Sequence, residues 1–364
     1  MKNIDYTCEG DMQMAKVREL GIIIGDLKTG EKNCITDVAG VAVGHVTLDY
    51  SLEDGEHACT GVTAILPHSG NLFTQKVVGA SYVVNGYGKT AGLVQVDELG
   101  LIESPIMLTN TMTVPEASAA AMEYMLEATA DIAEDVGSIN IVTGECNDGK
   151  LNSIRKRLVT KEHALEALNN AKTDTAGEGA VGAGKGMVCF GYKGGIGASS
   201  RLVPDGDKAY TLGVMVLSNF GRAEEFMYEK YGLKKSGLPS AEKPIDGSIM
   251  MVMATDAPLS DRQLKRVCKR CAIGLGRTGS NYSNGSGDVI IAFSTANKHA
   301  YKSEKTTESI MQMREDSPEF NMLFKAAAEA TEEAILNSLC QAETTVGRKG
   351  NTVHKFDFDL IKRV

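Results

Sequence analysis

The sequence predicts an α+β protein in which β-sheets pack against layers of helices. The chain has 364 residues, of which 43% are apolar and 23% charged, and this composition is typical of a soluble globular protein. Strand-like and helix-like segments are mixed along the chain. The strands do not alternate one for one with crossover helices, as they would in a simple doubly wound sheet, so we favour packed sheets with helix layers.

The charge balance and the hydropathy limit the partners that we expect. The formal net charge is −9, from 38 basic and 47 acidic side chains. A surface of this sign repels phosphate backbones, which argues against a nucleic-acid partner. No apolar stretch approaches the roughly 18–20 residues of a membrane span, and residues 1–20 lack the apolar segment of a signal peptide. We therefore expect a cytoplasmic protein that does not bind a membrane.

The first half of the chain begins with strands and then mixes strands with helices. Residues rich in Val, Ala and Ile between glycines predict strands at 35–48, 61–67 and 77–85. A helix is predicted over 113–135, because Thr113 and Glu116 have the spacing of a capping box and helix-forming residues follow. The same patterns then predict a strand at 138–143, a polar loop at 144–149, a helix at 161–171, and strands at 187–192 and 210–217.

The second half repeats this mixture after a loop at 230–246 that is rich in Lys, Gly and Pro. Helix-start signals are clear at Ser260, which forms a capping box with Gln263, and at Ser317, which precedes Pro318. The predicted elements are a strand at 249–254, a helix at 260–275, a strand at 288–294, a helix at 317–341 and an edge strand at 354–361.

The eight cysteines do not form a disulfide framework in a chain of this length, so we expect thiols. Cys268 and Cys271 form a C-x-x-C pair, but no second Cys or His pair lies at zinc-ligand spacing. The pair shares helical spacing with Leu264 and Leu275, which predicts that it packs in a helix face. We therefore expect neither a metal nor a cofactor.

Two short motifs resemble known sites but lack the required context. Residues 179–185 follow a phosphate-binding loop until the next position, where Gly186 replaces the Ser or Thr that ligates Mg²⁺, and they precede a strand. Ser240 to Lys243, Tyr282 to Asn284 and Lys28 to Gly30 resemble the motifs of penicillin-recognising enzymes, but their order along the chain is wrong. We interpret all of them as structural.

A third feature, Gly247-Ser248, stands between a long loop and a buried strand. Glycine has no Cβ, so its carbonyl can adopt the strained geometry that attack by the next hydroxyl requires. Hydrolysis of the resulting ester would make Ser248 a new N-terminus. Its α-amino group, with a pKa near ~8, can take a proton at neutral pH, so an N-terminal hydroxyl residue carries its own base. Read alone, the dipeptide is more often an ordinary turn.

Longer strings resemble the P1 family of peptidases, which contains the L-aminopeptidase/D-esterase and the β-peptidyl aminopeptidases. The resemblance runs nearly end to end. The strings that carry it lie at 33–45, 60–65, 108–111, 193–201, 247–248, 254–259 and 284–297.

The resemblance implies an αββα sandwich, similar to that of the N-terminal-nucleophile hydrolases but differently connected. It also implies a single peptidase domain over 1–364 that cuts itself before Ser248. The products would be an α-chain, 1–247, and a β-chain, 248–364. Homo-oligomers are expected from the family.

The family's functional residues transfer onto this chain one by one. Ser248 matches the nucleophile, Ser286 and Asp288 match the partners that orient it, and Asn219 matches the oxyanion-stabilising Asn. Glu145 matches a carboxylate that binds the free ammonium of the substrate, a role that suits an exopeptidase. Asn147 stands where some members carry a Tyr that helps to stabilise the oxyanion.

The resemblance predicts a metal-free serine aminopeptidase that acts on short peptides, amides or esters through an acyl-enzyme on Ser248. One alternative is acyl transfer, as in the ornithine acetyltransferases. Those enzymes use Thr at the cleavage point, and the Ser here counts against them. A second alternative is an uncleaved binding or scaffold protein.

Overall fold

The computed structural model describes residues 15–233 and 247–356, and every element below lies within those ranges. The helices are α1 (Leu93–Leu99), α2 (Val114–Ala128), α3 (Lys161–Asn169), α4 (Asp261–Cys268), α5 (Cys271–Thr278) and α6 (Pro318–Cys340). The longer strands are β1 (Ala42–Ser51), β2 (His57–Leu66), β3 (Gln75–Gly86), β5 (Ile106–Asn110), β6 (Val142–Cys146), β9 (Gly195–Asp205), β10 (Lys208–Asn219), β11 (Ser248–Thr255) and β12 (Gly287–Ala300). The two-residue strands are β4 (Leu101–Ile102), β7 (Val188–Cys189), β8 (Tyr192–Lys193), β13 (Thr345–Val346) and β14 (Thr352–Val353).

Two sheets form the centre of the protein. The four-stranded sheet has the order β1-β2-β5-β6, and the six-stranded sheet has the order β4-β3-β12-β11-β10-β9. A buried apolar cluster lies between them, and it includes Leu108 and Val142 from the first sheet and Met250 and Val252 from the second. The two sheets pack so closely at Gly144 of β6 that a Cβ added there would lie 2.4 Å from Cε of Met250 on β11.

Helices cover the outer face of each sheet. α2 and α3 pack against the four-stranded sheet, and α4 and α6 pack against the six-stranded sheet, with α5 packed on α6. α6 begins where the sequence predicts, since Ser317 accepts a hydrogen bond from the backbone N–H of Phe320 and Pro318 occupies the first turn. The prediction of packed sheets between helix layers is therefore confirmed.

Some predicted boundaries are wrong because tertiary contacts override local signals. α2 has no side-chain cap and ends at Ala128. The Thr113 hydroxyl lies 2.9 Å from that of Thr109, and Glu116 pairs with Arg157, so neither side chain is left for a capping box. β1 begins only at Ala42, after a 3₁₀ turn at 35–37.

Further predictions are wrong between residues 195 and 356. The helix predicted over 260–275 is two helices, although Ser260 does accept the capping hydrogen bond from the backbone of Gln263. β9 was not predicted, because its sequence is rich in Gly and Ser, yet eight of its eleven residues are buried and it packs against α6. Residues 354–356 form no strand, and the remainder of the predicted edge strand lies outside the described residues.

The cysteine prediction holds for the seven cysteines in the described part of the chain, all of which are free and buried. Cys268 and Cys271 pack in the apolar cluster between α4, α5 and α6. Burial raises the pKa of the Cys271 thiol to about 12, which makes it unreactive. The serine-lysine motif at 240–243 and most of the loop at 230–246 lie outside the described residues. No helix that the structure describes is long and apolar enough to cross a membrane.

Candidate active site

The ends of three neighbouring strands, β10, β11 and β12, lie side by side in the six-stranded sheet, and Ser248 is at the end of the central one. Ser248 is the first residue of β11 and is only 7% exposed. It pairs with Asn219, the last residue of antiparallel β10, and with Gly287, the first residue of parallel β12. Sheet register therefore brings together residues that are far apart in the sequence.

The amide of Asn219 is oriented toward the serine. Its Nδ2 lies 3.4 Å from Oγ of Ser248 and donates to the main-chain oxygen of Asn147 at 3.0 Å. Its Oδ1 accepts the backbone N–H of Val188 at 2.9 Å. Because a backbone donor fixes the oxygen, the NH₂ group must face the hydroxyl, which places a hydrogen-bond donor where an oxyanion-stabilising group is needed.

Ser286 and Asp288 form a hydrogen-bonded pair beside the start of β12. The Ser286 hydroxyl donates to Oδ1 of Asp288 at 2.7 Å. Oδ2 of Asp288 is buried and has no hydrogen-bond partner among the described residues. Burial raises the pKa of Asp288 to about 6, and the bond from Ser286 opposes this change. A buried carboxylate oxygen without a partner is able to accept an N–H or a proton.

The residue before the serine is held tightly against the neighbouring strand. A Cβ added to Gly247 would lie 2.6 Å from Cα of Phe220, so no other residue fits there without movement. The Gly247 carbonyl accepts the backbone N–H of Gly287 at 3.3 Å. The carbonyl that Ser248 would attack is thus polarised by a backbone donor.

Glu145 lies on the facing sheet rather than in the predicted polar loop, since β6 continues through Cys146. It is 3% exposed. Its Oε1 accepts the backbone N–H of Lys89 at 2.8 Å, and its Oε2 accepts the hydroxyl of Thr111. Donors on both oxygens fix the orientation of the carboxylate.

Asn147 takes part in the site through its main chain. Its side-chain oxygen accepts the backbone N–H of Gly149 at 2.9 Å, closing a turn, while its main-chain oxygen bonds Asn219. The structure thus places Ser248, Asn219 and the Asn147 backbone in one bonded cluster, with the Ser286–Asp288 pair at the start of β12, the strand next to Ser248.

Sequence reasoning missed two residues near this cluster. Cys146 is fully buried, and its thiol donates to the main-chain oxygen of Leu217 at 3.5 Å. Burial holds the pKa of this thiol well above its usual value. The charge of Glu145 adds to this rise, and a hydrogen bond with Ser248 opposes it. Thr111 orients Glu145. Thr111 ends one of the family-like strings, but nothing in its local sequence indicates a role. The described residues hold no group of three or more His, Cys, Asp or Glu side chains that could bind a metal ion.

A hydroxyl beside a fixed amide donor, with a buried acid and a second hydroxyl at the start of the next strand, is an arrangement suited to nucleophilic acyl chemistry. Residues 33–353 match the model of peptidase family S58. The chain belongs to this family. The match supports the peptidase interpretation over the acetyltransferase alternative.

Known proteins resemble the chain over nearly its whole length. It is 40% identical to the "Beta-peptidyl aminopeptidase BapA" of Sphingosinicella microcystinivorans, over 93% of this chain and 89% of that protein. It is similar to the solved structure of the PH0078 protein from Pyrococcus horikoshii OT3, with 48% identity, a TM-score of 0.85, and coverage of 94% and 96% of the two chains.

A second solved structure bears on the fold class. The L-aminopeptidase D-Ala-esterase/amidase from Ochrobactrum anthropi has a TM-score of 0.87 and 32% identity, over 95% of this chain and 96% of that chain. That protein is described as a new variant of the Ntn hydrolase fold. The predicted family resemblance and the predicted fold class are both confirmed, and so is the assignment to a peptidase family.

Proposed function

We propose that the protein is a self-processing serine aminopeptidase that removes N-terminal residues from short peptides, amides or esters. The observation that carries the proposal is the position of Ser248. Its hydroxyl faces a fixed amide donor from Asn219, and the carbonyl before it is held by a backbone N–H of Gly287. The family and the names of the relatives, which are aminopeptidases, support the same reaction class.

Self-cleavage would proceed in two steps. Oγ of Ser248 attacks the carbonyl carbon of Gly247, the C–N bond breaks, and the acyl group moves to the serine oxygen as the nitrogen takes the proton. Water then hydrolyses the ester. The products are an α-chain, 1–247, and a β-chain, 248–364, and Ser248 gains a free amino group.

The mature enzyme would use that amino group as its base. As Oγ attacks the substrate carbonyl, the amine takes the hydroxyl proton and later returns it to the leaving group, and water releases the acyl product. Asn219 would stabilise the oxyanion. The unpartnered oxygen of Asp288, with Ser286, would hold and orient the new amine.

Glu145 would bind the ammonium of the substrate. Because both of its oxygens already accept hydrogen bonds, it is oriented before the substrate arrives, which lowers the cost of binding. This role explains why the enzyme would require a free N-terminus. Asn147 would contribute through its main chain, by fixing Asn219. We further propose a homo-oligomeric, cytoplasmic enzyme that works without metal or cofactor.

The proposal is tested by hydrolysis of amino-acid p-nitroanilides, in both the α and the β series, with N-acetylated forms as controls. We expect release of p-nitroaniline from the free amines, none from the acetylated forms, and no activity in Ser248→Ala. Equal hydrolysis of acetylated and free substrates would contradict an aminopeptidase. Complete inactivity of the wild type would favour the binding or scaffold alternative.

A further inference from the structure

The segment that follows β3 contacts both parts of the candidate site. The backbone N–H of Lys89 donates to Oε1 of Glu145 at 2.8 Å, and the backbone N–H of Tyr87 donates to the main-chain oxygen of Ser286 at 3.2 Å. These three residues, 87–89, thus span the distance between the ammonium-binding acid on one sheet and the nucleophile's neighbours on the other.

Gly88 is the central residue of this segment, and its missing side chain points into that space. A Cβ added to Gly88 would lie 3.7 Å from Oε1 of Glu145, 3.6 Å from Cα of Gly287 and 3.9 Å from Cγ2 of Val289. The added atom would therefore face the carboxylate on one side and the strand beside Ser248 on the other.

Neither the backbone nor the packing of the free protein requires a glycine at 88. Its φ lies outside the left-handed region, and the distances around the added Cβ are ordinary van der Waals contacts. Gly287 is different, because a Cβ there would lie only 2.8 Å from the backbone of Gly88. A methyl group can therefore be added at position 88 without a clash, and it would occupy the space next to Glu145.

We propose that Gly88 determines which N-terminal residues the enzyme accepts, by leaving room for a substituent on the amine-bearing carbon of the substrate. The inference rests on the proposed function, in which Glu145 binds the substrate ammonium. The amine-bearing carbon is one bond from that ammonium, so it lies within reach of the space beside Oε1. A methyl group at position 88 fills this space and leaves room only for an unsubstituted carbon.

Two substrate pairs measure this effect, because their members differ by one methyl group on the amine-bearing carbon. They are the p-nitroanilides of glycine and L-alanine, and those of β-alanine and 3-aminobutanoic acid. In Gly88→Ala we expect the ratio of kcat/KM, substituted to unsubstituted, to fall about tenfold or more in whichever series the wild type hydrolyses, as is typical for one methyl group in a pocket. Intact mass should still show complete self-cleavage.

Gly86→Ala is the matched control. Its Cβ would lie 3.5 Å from Cγ1 of the half-exposed Val83, away from Glu145, so self-cleavage and both ratios should stay as in the wild type. An unchanged ratio in Gly88→Ala would overturn the inference and leave the proposed function intact. A Gly88→Ala protein that no longer cuts itself would also overturn it, because Gly88 would then be needed to build the site. A wild type inert toward all four substrates would remove the proposed function, and this inference with it.

Discussion

Asn219 and Ser248 lie opposite each other on neighbouring antiparallel strands, with Nδ2 of Asn219 3.4 Å from Oγ of Ser248. The backbone N–H of Val188 holds the amide oxygen on the other side. This relationship is set by strand register rather than by flexible side chains, so the donor is in place before any substrate binds. Preorganisation of this kind is the usual source of oxyanion stabilisation.

We predict that Asn219→Ala lowers kcat by on the order of 10²–10³, with a smaller change in KM, because the donor acts on charge that develops in the transition state. Steady-state kinetics on an amino-acid p-nitroanilide measures both constants. Asn351→Ala removes an exposed amide that bonds the main chain of Lys150, and it should leave kcat unchanged. A rise in KM alone would assign Asn219 to substrate binding instead.

Thr111→Val should raise KM for substrates with a free amine about tenfold or more, since a hydrogen bond to a charged group contributes about 1.5–3 kcal/mol. The reason is that the hydroxyl of Thr111 holds Oε2 of Glu145. Thr111→Ser keeps the hydroxyl and should restore most of the affinity. Both variants should still cut themselves, because Thr111 contacts the acid and not the nucleophile. Equal KM values for Thr111→Val and the wild type would show that Glu145 needs no such support.

Asp288→Asn, made in the uncleavable Ser248→Ala protein, should stabilise the fold near pH 7. Burial raises the pKa of Asp288 to about 6, above the ~3.9 of an unfolded Asp. Ionisation of Asp288 therefore lowers the free energy of unfolding as the pH rises from about 4 through about 6, by at most about 3 kcal/mol. Asparagine removes this loss. Urea denaturation at pH 4 and pH 7 measures the free energy of unfolding with and without the substitution. If Asp288→Asn changes that free energy equally at both pH values, the raised pKa of Asp288 is contradicted.

Arg201 anchors a buried ionic cluster that joins the two predicted chains. Its Nη2 lies 2.7 Å from Oε2 of Glu333 and its Nε lies 3.2 Å from Oε2 of Glu329, and all three side chains are nearly inaccessible. Arg18 also pairs with Glu333, at 2.7 Å. Both arginines precede Gly247 and both glutamates follow it, so the cluster would help to hold the halves together after cleavage.

Arg201→Leu should lower the free energy of unfolding by about 3–5 kcal/mol, because it leaves buried carboxylates without their partner. Arg314→Leu is the control. It breaks a pair with Asp316 in which both side chains are more than two-thirds exposed, and it should cost less than about 1 kcal/mol. Similar losses for the two variants, measured in urea, would mean that the buried cluster contributes little.

The sequence predicted more of the fold class than of the site geometry. Apolar strands such as 249–254 and the capped helix at 317–341 were predictable because periodicity and cap residues act locally. β9 was missed because it is rich in glycine and serine and so lacks the apolar pattern that usually predicts a buried strand. The family resemblance supplied Ser248 and Asn219, but the register that pairs them is a long-range property. The roles of Thr111 and Gly88 depend on which loops meet Glu145, and no local pattern encodes that.

The central claim is that Ser248 is both the cleavage point and the nucleophile, and the intact mass of freshly purified protein under denaturing conditions tests it most directly. We predict two fragments for the wild type, 1–247 and 248–364, and a single uncut chain for Ser248→Ala. A wild type that stays whole after long incubation, or a Ser248→Ala protein that is still cut at Gly247, would contradict the account.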